Sequence, residues 1–314
     1  MCDCDGQVEK GNPSRNDSKL LSEYVKFLRN HQGLAESTIN IRCRYVAPFL
    51  SAVEDRNGNI GLLSPSVIHE YVIKRAGSFT RCCRKEISSS LRSFLRFANI
   101  KGHIDRDLRE AVPTIKEYRL DRVPRSISWD SVQKLLQAPD RNTRAGRRDY
   151  AILQLLATYG VRIGQIISLE TGDIDWRRRT INFRQSKKGN PLSLPLKLEV
   201  ADAILTYLRE DRGDAPYPEV FLTVRGEPRP LSKKNWLGSS LGVYYRRAGI
   251  ECGIRCSSHA IRHAFATRLL EQGTPIKNIS DLLGHRCIGS TFIYTKVNIK
   301  QLRSLSREWP EVTS

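Results

Sequence analysis

Arg147-Arg148-Asp149-Tyr150-Ala151-Ile152-Leu153-Gln154-Leu155-Leu156-Ala157-Thr158 reads as one strongly apolar helix. A run this apolar belongs at the centre of a core, and it stops well short of the ~18 residues needed to span a bilayer. Tyr159-Gly160-Val161-Arg162-Ile163-Gly164-Gln165-Ile166 follows at once. Gly160 marks a tight turn there, and Arg162 stands ahead of a new helix, whose N-terminal end favours anions.

Downstream of that helix, Thr180-Ile181-Asn182-Phe183-Arg184 and Leu192-Ser193-Leu194-Pro195-Leu196 alternate as strands do. Lys188-Gly189-Asn190-Pro191 between them supplies the turn chemistry of a hairpin. Helical periodicity returns at 197–210, 233–248, 259–271 and 275–283. Upstream, Ser128-Trp129-Asp130-Ser131 opens this half of the chain, with Val132, Leu135 and Leu136 marking a helix. The stretch 113–127 combines prolines, basic residues and little periodicity, and reads as a linker.

Ahead of the linker, residues 17–112 carry four amphipathic helices. The first has Leu20, Leu21, Tyr24, Phe27 and Leu28 on one face, and the second runs from a Ser37-Thr38 cap through Ile41, Tyr45 and Phe49. Ser64-Pro65 opens the third, and the fourth, at 80–97, sets Ile87, Leu91 and Phe94 against Arg81, Arg84, Lys85 and Arg92. Residues 1–16 are polar and read as a disordered leader. The expectation is a mainly α chain with a small antiparallel β-sheet, divided into a helical domain (17–112), a linker (113–127) and a second domain (128–314).

Fifty-two Lys and Arg against 33 Asp and Glu leave a net charge of +19. Such an excess attracts polyanions, because each neutralised phosphate releases condensed counterions, so nucleic acid leads the partner classes. Clusters at Arg42/Arg44, 81–85, 141–148, 177–179, Lys233-Lys234 and Arg246-Arg247 are dispersed, as on a surface that encircles its ligand. Solvated faces account for about half of such clusters. The eight cysteines show no recurring CxxC pair, which argues against structural zinc and for reduced thiols; no metal or cofactor is expected. The acidic start Met1-Cys2-Asp3-Cys4-Asp5 is not a secretion or transit signal, and the expected location is the cytoplasm.

Some residues point to phosphate chemistry directly. A phosphodiester under attack becomes a dianion, and side chains must supply the balancing charge. Arginine suits this best, since its planar fork donates two hydrogen bonds and keeps its proton. Arg162 and Arg262 are the candidate clamp. His259 and Arg262 are three apart on one helix and share a face, where a histidine can donate to a phosphate or accept a proton. The residues 269–283 also read as a helix-turn-helix, with Gly273 at the turn and Thr274-Pro275 opening the second helix.

Five segments follow in order: Ala157-Thr158-Tyr159-Gly160-Val161-Arg162-Ile163-Gly164-Gln165-Ile166, the Lys187-Lys188 hairpin, Ser258-His259-Ala260-Ile261-Arg262-His263-Ala264-Phe265-Ala266-Thr267, Leu282-Leu283-Gly284-His285, and Phe292-Ile293-Tyr294-Thr295. Together they resemble the tyrosine recombinase family, which includes phage integrases, Xer-type resolvases and transposon-borne recombinases. The resemblance covers about residues 17–305 and is sharpest from 157 to 295.

It implies a helical core-type DNA-binding domain followed by a catalytic domain, closing on double-stranded DNA at a specific site. By resemblance, Tyr294 is the nucleophile, forming a 3′-phosphotyrosyl link without ATP or metal. Arg162, His259, Arg262 and His285 surround the phosphate, and Lys187 protonates the departing 5′ oxygen. Lys188 is the alternative acid, should the hairpin tip shift by one residue. A homo-tetramer on two duplexes is implied, with the tail after Thr295 packing on its own protomer or a neighbour. Integration, transposition and replicon resolution all remain open, and the lack of an arm-binding domain ahead of residue 17 suits a Xer-like or transposon-type enzyme. A type IB topoisomerase and a non-catalytic DNA-binding regulator are the competing readings. One position departs from the family pattern: Gln165 stands where Glu or Asp is usual, three residues after Arg162.

Overall fold

A computed structural model describes residues 15–57, 60–77, 81–114, 127–184, 192–250, 257–284 and 291. The chain divides into two compact units, Met1–Tyr118 and Arg119–Ser314.

The first unit is helical: α1 (Arg15–Asn30), α2 (Glu36–Asn57), α3 (Pro65–Gly77) and α4 (Arg81–Ile100). Tyr24, Leu28, Ile39, Val46, Phe49, Leu91, Phe94 and Phe97 fill its core. Tyr24 meets the edge of Phe94 at 5.4 Å, and its hydroxyl donates to Ser93 Oγ at 2.9 Å. Ser64 caps α3 by accepting from the Val67 N–H at 3.4 Å, as its Ser-Pro start predicts. The Ser37-Thr38 cap is corrected: α2 begins at Glu36, with the Thr38 and Ile39 amides bonded to the Ala35 carbonyl. Cys43 is the thiol expected of it, while Cys83, buried on α4, is disulfide-bonded. The expected leader falls almost wholly outside the described residues, as does most of the linker.

The second unit is built around the opening helix of the sequence reading, α6 (Arg144–Tyr159), preceded by α5 (Trp129–Gln137) and followed by the short α7 (Ile163–Ile167). Ser128 caps α5 and Thr143 caps α6, each side-chain oxygen accepting an amide three residues on at 3.1 Å. Ala151, Ile152, Leu153, Leu155, Leu156, Ala157 and Tyr159 are all buried, as a core helix requires. Next comes a three-stranded antiparallel sheet in sequential order, β1 (Ile174–Asp175), β2 (Thr180–Phe183) and β3 (Leu192–Pro195). The β2–β3 pair runs from Thr180↔Pro195 to Phe183↔Leu192. Helices α8 (Leu198–Tyr207), α9 (Lys233–Trp236), α10 (Gly242–Arg247), α11 (Ser258–Glu271) and α12 (Ile276–Leu282) complete the described part.

The expected helix over 233–248 is interrupted by a π-turn at Leu237–Leu241. Residues 269–283, read as a helix-turn-helix, comprise the end of α11, the turn at Gly273 and α12, and the two helices pack on each other through Ala266, Leu270, Ile279 and Leu283. No described helix is long and apolar enough to cross a membrane.

Candidate active site

Helix α6 ends at Gly160, whose φ of +59° is the left-handed conformation that favours glycine. A Cβ there would also lie 2.3 Å from Phe265 Cδ1 on α11. The close approach seats α11 against this turn and lets Arg262 reach it. One guanidinium nitrogen of Arg262 donates to the Gly160 carbonyl at 2.8 Å, and another to the Leu283 carbonyl at the end of α12 at 2.7 Å. Arg262 is only 5% exposed. A buried guanidinium is tolerated when its N–H groups meet acceptors, and these two carbonyls tie three chain segments to one cation.

Two residues beyond Gly160, Arg162 is the N-cap of α7, with its side chain half-exposed. Its amide donates to Gln165 Oε1 at 3.0 Å. His259 lies one turn before Arg262 on α11 and is exposed, so the arginine forms the floor and the histidine the rim. Partial desolvation first, then the positive charges of Lys233, Arg262 and Arg162, hold the His259 imidazole below its ordinary pKa. The two arginines and the histidine expected from sequence are thus close enough to share one positive field. That shift favours the neutral imidazole at neutral pH, with one ring nitrogen free to accept a proton. His263 is pushed down to about 4 by desolvation, with His259 and Arg262 adding to the effect.

The base of the hairpin is also fixed. The Arg184 guanidinium bonds both carboxylate oxygens of Glu170 (2.6 Å to Oε2) and Asp173 Oδ1 at 3.2 Å. The Arg184 carbonyl lies 3.5 Å from Gln165 Nε2. Lys187 and its alternative Lys188, together with His285 and Tyr294, lie outside the described residues. Lys233 and Arg184 were not singled out by sequence reasoning. Lys233 sat in a basic doublet, and its charge acts on His259 only through the packing of separate helices.

Residues 125–301 match the family model described as the phage integrase family. The chain is 33% identical over 300 residues to y4rA of Sinorhizobium fredii, named as an integrase/recombinase, covering 95% of this chain and 72% of that protein. It is 28% identical over 303 residues to the tyrosine recombinase XerD of Listeria monocytogenes, covering 92% and 98%. In fold it is similar to the XerH site-specific recombinase bound to palindromic difH substrate, with a TM-score of 0.73 at 15% identity over 92% of this chain and 83% of that one. A lambda integrase dimer bound to a COC′ core site gives 0.66 at 18% identity, over 94% and 98%. With its helical architecture and small sheet, the chain belongs to the phage integrase family, the tyrosine recombinases, which cut and rejoin DNA at specific sites.

Proposed function

We propose that Tyr294 attacks a DNA phosphate held by Arg162 and Arg262, giving a 3′-phosphotyrosyl bond as the P–O5′ bond breaks. His259 takes the phenol proton, His285 donates to a phosphate oxygen, and Lys187 protonates the departing 5′ oxygen. The free 5′ hydroxyl of a partner duplex later attacks the phosphotyrosine and releases Tyr294. In this reading residues 17–112 grip double-stranded DNA, residues 128–314 carry the chemistry, and four copies act on two duplexes in the cytoplasm.

The observation that supports it most is the double hydrogen bond from Arg262 to the carbonyls of Gly160 and Leu283. One of these carbonyls is two residues before Arg162 and the other two residues before His285, so one buried cation links the segments that bear the proposed clamp. The fixed guanidinium of Arg262 and the nearby charge of Arg162, beside an imidazole biased toward its neutral form, suit a site where negative charge develops on phosphate. The relatives seen in complex with difH and COC′ DNA are in keeping with a duplex ligand.

The test is a nicked duplex carrying the recombination site, which traps the covalent intermediate. The wild type should yield a protein–DNA adduct on a denaturing gel. Tyr294→Phe should yield none while retaining DNA affinity within about threefold, since only the nucleophile is lost. An adduct that survives the substitution overturns the assignment.

A further inference from the structure

Gln165 is 4% exposed, and its side chain faces two backbone groups. The Arg162 amide at 3.0 Å requires an acceptor, so Oε1 must face it. That leaves Nε2 toward the Arg184 carbonyl at 3.5 Å, an acceptor that requires a donor. Only an amide satisfies both; a carboxylate would serve the Arg162 amide and set oxygen against oxygen at Arg184. Arg184 is held from its other end as well, through its guanidinium on Glu170 and Asp173. Residue 184 is therefore a fixed post where the chain leaves β2, three residues before Lys187 in sequence.

We propose that Gln165 is a positioning residue whose amide locks the Arg162 turn to the Arg184 post, setting the anion clamp and the base of the lysine hairpin in one register. The inference rests on the reading of Lys187 as general acid given above. It assigns a structural consequence to the departure from the usual acidic residue: here the position must donate as well as accept.

Gln165→Glu keeps the acceptor and loses the donor, and Gln165→Met keeps the bulk and loses both. Single-turnover cleavage by the full-length protein is measured on two nicked substrates, one ordinary and one with sulfur in place of the scissile 5′ oxygen. A thiolate leaves without a proton, so it bypasses the general acid. Gln165→Glu, which keeps the Arg162 bond, should cleave the ordinary substrate at least about tenfold more slowly and the sulfur substrate within about threefold of wild type, the range of a misplaced acid rather than a lost fold. Gln165→Met, which also frees the Arg162 turn, should be slow on both. Affinity for uncleaved DNA should be unchanged.

Lys187→Ala is measured alongside and should show the same rescue. Wild-type rates for Gln165→Glu on the ordinary substrate overturn the proposal, as does a Gln165→Glu defect that persists on the sulfur substrate. If Lys187→Ala is slow and not rescued, the general-acid reading itself falls. If it is rescued and Gln165→Glu is not, only the positioning role falls.

Discussion

Arg262 shows how much one buried cation can organise. Its two carbonyl partners lie on different segments, and a lysine ammonium on a flexible stem cannot meet both in the same plane. Arg262→Lys should therefore cost about 2–4 kcal/mol in denaturant unfolding, from charge-assisted bonds each contributing about 1.5–3 kcal/mol. It should also lower adduct formation about 100-fold or more, as removal of one fixed transition-state donor does. Gly160→Ala tests the same junction from the other side. Its methyl would meet the Phe265 ring at 2.3 Å and sit at a φ of +59°, so a loss of about 1–3 kcal/mol is expected. A variant as stable as wild type would show that α11 does not depend on this contact. The spacing of His259 and Arg262 was legible in the sequence as one helix face. That Arg262 lies at the buried floor and His259 at the exposed rim was not, because depth depends on which helices cover the face.

At the scale of elements, α6 was the easiest to read, since its apolar run, the Thr143 cap and the Gly160 stop all agree. The basic cluster at its start was read as part of a ligand-facing surface, and the structure corrects this in part. Arg147 grips both carboxylate oxygens of Asp211 at 2.7 Å. Arg148, 6% exposed, donates to Asp149 and to the Leu222 carbonyl. Asp149, 1% exposed, also accepts from Trp236 Nε1 at 2.9 Å and Tyr244 Oη at 2.7 Å, fastening α6 to α9 and α10. Removing its carboxylate would strand a buried guanidinium, so Asp149→Ala should destabilise by about 3–5 kcal/mol. Thr143→Ala, which removes only the cap, should cost about 1 kcal/mol. Equal effects in equilibrium unfolding would contradict this ranking. Strand β1 escaped the sequence reading because two residues are too few to show a period of two.

For the whole molecule, the histidines set a pH limit on stability. An unfolded histidine titrates near 6.5, while His263 in the fold is pushed down to about 4. Because the folded value is the lower one, the native state resists protonation. Its contribution is fully present above about pH 6.5 and is lost as pH falls toward about 4. His259, lowered in the same direction, adds to the loss. Melting temperature should be flat from pH 8 to 7 and decline below about 6.5, and His263→Gln should flatten that decline. An unchanged pH profile in the variant would show that other groups carry it.

The sequence by itself determined the class of fold and the family, and it supplied the expectation of two domains and of the residues of the proposed site. These follow from periodicity, cap chemistry and short motifs, which are local along the chain. Only the tertiary structure decided which charges face inward, which carbonyls hold Arg262, and that Gln165 meets both the Arg162 amide and the Arg184 carbonyl. Apart from the local bond of Gln165 to the Arg162 amide, these partners lie about 20 to 100 positions apart, and no local pattern encodes which of many polar groups will be desolvated together.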